Sequence, residues 1–320
     1  MWTGGSSRLW PPALAGLLVI AALAFPAPAA AAPQCGGRPA TIVGTDRSEV
    51  IRGTDGDDVI VARRGADEVR AKAGSDRVCG GRGPDLILGG SGRDEASGGR
   101  GSDTLRGGAR SDDLAGDRGA DGMHGGDGAD DLSGQSGTDH LSGGDGGDDL
   151  VGGADNDTLY GRDGNDAMSG GALSGSTDGD DFDFLYGGAQ HDDLVGGDDP
   201  DVLRGDRGHD VLTGGAASDE LFGGYGPDRL RGQGGRDALG LANAGEPIDS
   251  GDDRMRGGDG ADIIHGGPRN DALFGGTGAD SIFGGNGSDA CNGEGGSDRC
   301  DGGSGADLCA SCETSTDCEP

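Results

Sequence analysis

Lysine occurs once in this chain of 320 residues, at Lys72, and no run of basic residues occurs anywhere. Acidic residues number 58 against 25 basic ones, a formal net charge of -33. That balance excludes a nucleic-acid or anionic-membrane binder, whose affinity comes from clustered Lys and Arg. Aromatic residues make up 3% of the chain, and both tryptophans, Trp2 and Trp10, lie in the first ten residues. A conventional core of large side chains is not available. Low hydrophobicity with high net charge leads to disorder unless something neutralises the charge. Catalytic signatures are missing too: there is no HExxH, no GxSxG elbow and no Walker loop, since Lys72 is followed by Ala73. The reading is that the chain is not an enzyme.

One apolar run is present. Arg8 precedes a hydrophobic stretch over residues 13–25, and small residues follow, with the best cleavage point after Ala29. This is the pattern of an export signal, residues 1–29. The run is shorter than the ~20 residues of a membrane span. Cys35 follows Ala-Pro-Gln, which is not a lipidation context. No second hydrophobic segment occurs, so the mature chain is expected to be secreted, without a membrane span.

Cysteines sit only toward the ends: Cys35 and Cys79 early, then Cys291, Cys300, Cys309, Cys312 and Cys318. Such placement suits disulfides that pin the ends of something long in an oxidising compartment. Zinc is the competing reading of the Cys309–Cys312 CxxC, although no second spaced pair or nearby His accompanies it.

Glycine, 75 residues of it, is the commonest residue, and it is in phase. Frames of nine anchored at Gly44 run unbroken over 44–169, resume over 178–240 and again over 248–310, separated by 170–177 and 241–247. These bound three repeat blocks, two loop insertions, an N-terminal cap (30–43) and a Cys-containing tail (311–320). Across the frames position six is Asp, with Glu49 the exception, and position eight is always a small or apolar residue. Disorder has no reason to keep such phase.

The consensus G-G-x-G-x-D-x-U-x, seen in Gly257-Gly-Asp-Gly-Ala-Asp-Ile-Ile-His265, resembles the RTX or haemolysin-type calcium-binding repeat. The Cys35-Gly-Gly-Arg-Pro-Ala-Thr-Ile-Val-Gly44 opening and the Cys-rich end resemble the stand-alone, Sec-exported actinobacterial members. The resemblance implies an all-β fold, a right-handed parallel β-roll (β-solenoid) with two repeats per coil and multiple Ca²⁺ ions in the turns.

The residues support the same chemistry on their own. Glycines at positions one, two and four permit tight turns and close backbone approach. Turn carbonyls and a position-six carboxylate form the all-oxygen donor set that calcium prefers. The expected metal-binding residues, where position six is Asp and position four is Gly, are Asp58, Asp67, Asp76, Asp85, Asp94, Asp103, Asp121, Asp130, Asp139, Asp148, Asp166, Asp210, Asp228, Asp237, Asp253, Asp262, Asp280, Asp289, Asp298 and Asp307. Frames with Arg47, Arg110, Asp155, Asp181, Gln190, Asp199, Ala217 or Arg269 at position four are expected to be weaker. Asp55, Asp127, Asp145, Asp163, Asp198 and Asp259 are either outer ligands or solvating charges.

Position eight should point inward, with seven and nine outward. Without metal, neighbouring position-six carboxylates one strand apart repel by roughly 0.8 kcal/mol per pair even in water. Binding and folding should therefore be coupled. The expected disulfides are Cys35–Cys79 at one end and, as the favoured pairs at the other, Cys291–Cys309 and Cys300–Cys318 with Cys312 left over; pairing across the thin core or through Cys312 is the alternative. The functional expectation is an exported calcium-binding β-roll. A calcium-stabilised adhesin or envelope spacer with a cell-surface or glycan partner is the alternative, and a hydrolase a distant one.

Overall fold

The computed structural model describes residues 33–171, 182–240 and 251–318. Among these residues there is no helix, and the chain forms two parallel sheets of 15 strands each, with successive strands alternating between them. This is a parallel β-solenoid of about 14 turns. The register is 18 residues, two nonamers per coil: Leu105 pairs with Ile87 on one side and Met123 on the other.

Most strands cover repeat positions seven to three, as in Thr104–Ala109, with alternate residues buried. The inward residues are position eight and the glycine at position one. Ile60, Leu105, Leu114, Leu141 and Leu212 belong to one continuous core, each with at most 1% exposure. A one-residue slip would turn every core side chain outward, so the phase of the repeat specifies the register.

The glycine positions divide their work. Position one has no positive φ: at Gly89 a Cβ would stand 2.6 Å from Asp94 Oδ2 and 2.7 Å from the Gly107 carbonyl oxygen, so close approach favours glycine, although Ala62 and Ala71 fill the same position in two early frames. Positions two and four are left-handed, as at Gly90 (φ 116°) and Gly92 (φ 133°). Non-glycine residues hold the same turn at position four, including Arg110 (φ 82°), Asp155 (φ 75°), Gln190 (φ 84°), Ala217 (φ 72°) and Arg269 (φ 93°). An L-residue there costs roughly 1–2 kcal/mol.

Register passes through both interruptions. Asp157 N–H donates to Asp183 Oδ1 across a separation of 26 residues, and Asp228 N–H to Asp253 Oδ1 across 25, where other coils use 18. Most of each expected insertion, like the expected export signal and Asp181, lies outside the described residues.

Both ends are tied. Cys35 is bonded to Cys79, with Cα atoms 5.7 Å apart, and Arg77 Nη1 donates to the Gly36 carbonyl. At the other end Cys300 bonds Cys312 and Cys309 bonds Cys318, correcting the expected Cys291–Cys309 and Cys300–Cys318 pairs. The reason is register. Cys291 and Cys309 are parallel partners whose side chains leave the sheet in the same direction. The tail also abandons the nonamer: Ser315, not Cys318, pairs with Cys300. Cys291 stays free and buried, and burial with nearby aspartates pushes its thiol up to about 12. Non-reducing peptide mapping should recover the three linkages and a Cys291 alkylated only after denaturation. A linked Cys291 would contradict the structure.

Candidate metal centre

Position-six aspartates are the unusual feature of the interior. The sequence placed them in the turns, one strand apart. In the structure Asp58 through Asp307 are buried, between 0% and 6% exposed. They form a ladder. Asp76 N–H donates to Asp94 Oδ1, and Asp94 N–H to Asp112 Oδ1, both at 2.8 Å. The same bond recurs at 2.7 Å from Asp121 to Asp139, and at 2.9 Å from Asp130 to Asp148 and from Asp262 to Asp280. Thus Oδ1 of each carboxylate joins one coil to the previous one.

The second oxygen is different. Oδ2 of Asp67, Asp76, Asp85, Asp94, Asp103, Asp121, Asp130, Asp139, Asp148, Asp166, Asp210, Asp228, Asp237, Asp262, Asp280, Asp289, Asp298 and Asp307 is buried and accepts no hydrogen bond. Asp112, Asp157, Asp192, Asp201, Asp219 and Asp271, whose frames have no glycine at position four, show the same orphan oxygen. Asp58 differs, since Thr54 donates to its Oδ2 through both N–H and hydroxyl. Native interiors rarely leave a buried acceptor unpaired, because its lost hydration is not recovered.

These oxygens face other acceptors. Beside Gly89, Asp94 Oδ2 and the Gly107 carbonyl bracket one small space, and Asp85 Oδ2 and the Gly98 carbonyl do the same beside Gly80. In the turns, Gly90 and Gly92 lie directly against the carbonyl oxygens of Lys72 and Gly74 of the preceding coil. No cluster of three or more His, Cys, Asp or Glu side chains forms among the described residues. The donor set is therefore one carboxylate oxygen per nonamer with main-chain carbonyls. Oxygen-only donors without histidine or thiolate suit a hard cation such as calcium.

Electrostatics agree. Burial, opposed by the backbone hydrogen bond and reinforced by neighbouring aspartates, raises Asp103 and Asp139 to about 7 and Asp157, Asp201 and Asp228 to about 8, from an ordinary 3.8. Folding without metal then requires proton uptake. The penalty is absent below the unfolded value near 3.8 and grows as pH rises toward 6–8. Acidifying the EDTA-treated chain from pH 8 to about 4.5 should increase its β signal in circular dichroism. A loss of β structure on acidification would contradict the burial.

Other groups have structural partners. His209 N–H donates to His191 Nδ1 at 2.9 Å, and His265 stacks on Phe283. Tyr160 and Tyr186 stack at 5.0 Å, so outward aromatics at position nine pack along the sheet. A second ladder, not anticipated from sequence, runs through position five: Ser111 Oγ accepts from Ala129 N–H, and Asn270 Oδ1 from Ser288 N–H. Its signal is the scattered Ser, Asn and Asp at that position.

The family model of the RTX calcium-binding nonapeptide repeat (4 copies) matches from 43–78 through 142–174, from 177–203 through 213–240, and from 249–273 through 274–309. The chain belongs to this family. No characterised protein sequence matches the RTX chain. Among solved structures it is similar to a hyperactive, Ca²⁺-dependent, β-helical antifreeze protein from an Antarctic bacterium, at 17% identity and a TM-score of 0.35. That match covers 80% of this chain and 83% of the other. The RTX repeats make this a calcium-binding-repeat β-roll, and no helix among its described residues is long and apolar enough to cross a membrane.

Proposed function

We propose that this chain is an exported protein that binds many calcium ions in its GGxGxD turns and folds on binding into a rigid β-roll, residues 1–29 being removed on export. The observation that carries the reading is the file of buried Oδ2 atoms that accept no hydrogen bond, several of them, such as those of Asp85 and Asp94, close to a main-chain carbonyl. The proposed ligands are the position-six aspartates of the glycine-containing turns, with Asp139, 0% exposed, as a representative. Bound calcium supplies the positive charge that lets a net -33 chain compact. Export is supported by the N-terminal apolar run and by three disulfides, which persist in oxidising compartments.

Calorimetric titration of the metal-free chain tests it. Near neutral pH calcium should saturate many sites, with the heat of folding appearing together with the heat of binding, because the unfolded metal-free chain already carries ionised carboxylates. Magnesium, which demands a tight octahedron and keeps its waters, should give no saturable heat. Asp139→Ala should lower the calcium stoichiometry. Absence of saturable calcium binding would overturn the proposal.

A further inference from the structure

One outer face of the roll is electrically divided. Asp113, Asp131 and Asp149 stand at position seven on three consecutive strands of one sheet, in register and exposed. Four strands beyond Asp149, Arg229 and Arg254 occupy the same column, with Arg231 and Arg256 beside them at position nine. Between the two halves lie Ala167, Asp193 and Val211. None of those three aspartates, nor Arg229, Arg231 or Arg254, forms an ion pair among the described residues. Arg254 instead lies over the Phe274 ring at 4.7 Å.

We propose that this face binds a second copy of the chain, antiparallel, about a twofold axis running along the strand direction between the strands of Ala167 and Asp193. Such an axis reverses the order of strands and keeps each repeat position opposite itself. Arg229 then meets Asp131 of the second copy, and Arg254 meets Asp113. The same operation brings Arg118 and Asp259 together, both at position three and neither used in choosing the axis. At position nine, Arg231 and Arg256 fall opposite Ser133 and Ala115, which are small enough to let the faces close.

Alternative registers are self-repelling. Moving the axis half a strand spacing one way keeps Asp149 opposite Arg229 and Asp131 opposite Arg254 but places Asp193 on its own symmetry mate and leaves Asp113 without an arginine. Moving it as far the other way places Asp149 on Asp193. A parallel pair would set arginine on arginine. The eight strands involved, at ~4.8 Å each, span about 38 Å; with a width of about 15 Å this gives roughly 1,100 Å² in total, near the lower limit of a specific interface. This inference rests on the fold and the outer side chains, and not on the number of ions bound.

Sedimentation equilibrium of the full chain in calcium, at low and at high salt, tests it. The expected result is a dimer that weakens as salt rises. Arg229→Asp with Arg254→Asp should raise the dissociation constant about 100-fold or more, and Asp113→Arg with Asp131→Arg should do likewise. Combining all four substitutions in one chain should restore dimerisation, because both halves are then reversed together. Circular dichroism in calcium checks that each variant folds, and Arg229→Gln with Arg254→Gln replaces any that does not. A monomer at every salt concentration, a dimer indifferent to the reversals, or failure of the fourfold variant to restore it would overturn the proposal. So would a monomer that binds heparin or polyphosphate through these arginines.

Discussion

Leu212→Asp unfolds the coil that carries it, and Thr213→Asp leaves the calcium-loaded roll intact. The two residues are chain neighbours on one strand, Val211–Gly215, and differ only in the face they occupy. Leu212 is 0% exposed and stands in register between Leu194 and Leu230, so a carboxylate there would be buried without a partner. Burying an uncompensated charge belongs to the mutational class that costs more than ~4 kcal/mol. Because a solenoid is held by neighbour-to-neighbour contacts, the damage should centre on the adjacent coils. Thr213 faces outward beside Val195 and Arg231, where a substitution stays within about 0.5–1 kcal/mol. Hydrogen exchange of the two variants in saturating calcium separates these outcomes. Equal loss of protection in both would mean that the inside and outside of the strand are misassigned.

The inward column was legible in the sequence because a nine-residue phase admits only one way to bury a single apolar residue per frame. Leu132, Leu141 and Leu150 are buried as that phase requires. The dual role of aspartate was not legible. A carboxylate that holds the previous coil with Oδ1 and leaves Oδ2 free looks, in sequence, like any acidic ligand. One signal was present: position six is Asp in all frames but that of Glu49, and a fixed side-chain length is what a hydrogen bond of constant geometry requires. At Glu49 the carboxylate turns instead to Thr45 N–H within its own loop.

The C-terminal disulfides were mispaired for a related reason. Extrapolating the period beyond Ala310 placed Cys318 in the core column, but with no repeat to hold the phase the last coil is three residues short and Ser315 sits there. Position four admits residues other than glycine. Arg110 and Arg269 keep the left-handed turn that glycine would have provided, so the fold tolerates them while their frames add a cation beside the turn carbonyls.

On the proposed function, neutralisation by metal makes the closed roll reachable near neutral pH. A metal-free roll must bury a file of carboxylates, many raised to about 6–8, behind a core of one modest side chain per nonamer. A ligand that binds the folded form alone shifts the balance by mass action, and with many sites the shift multiplies. Far-UV circular dichroism of the metal-free chain at pH 7.5, before and after calcium, tests this coupling most directly. Calcium should convert a random-coil spectrum to that of β structure, and magnesium at the same concentration should not. A metal-free chain that already shows a cooperative β fold at that pH would contradict it.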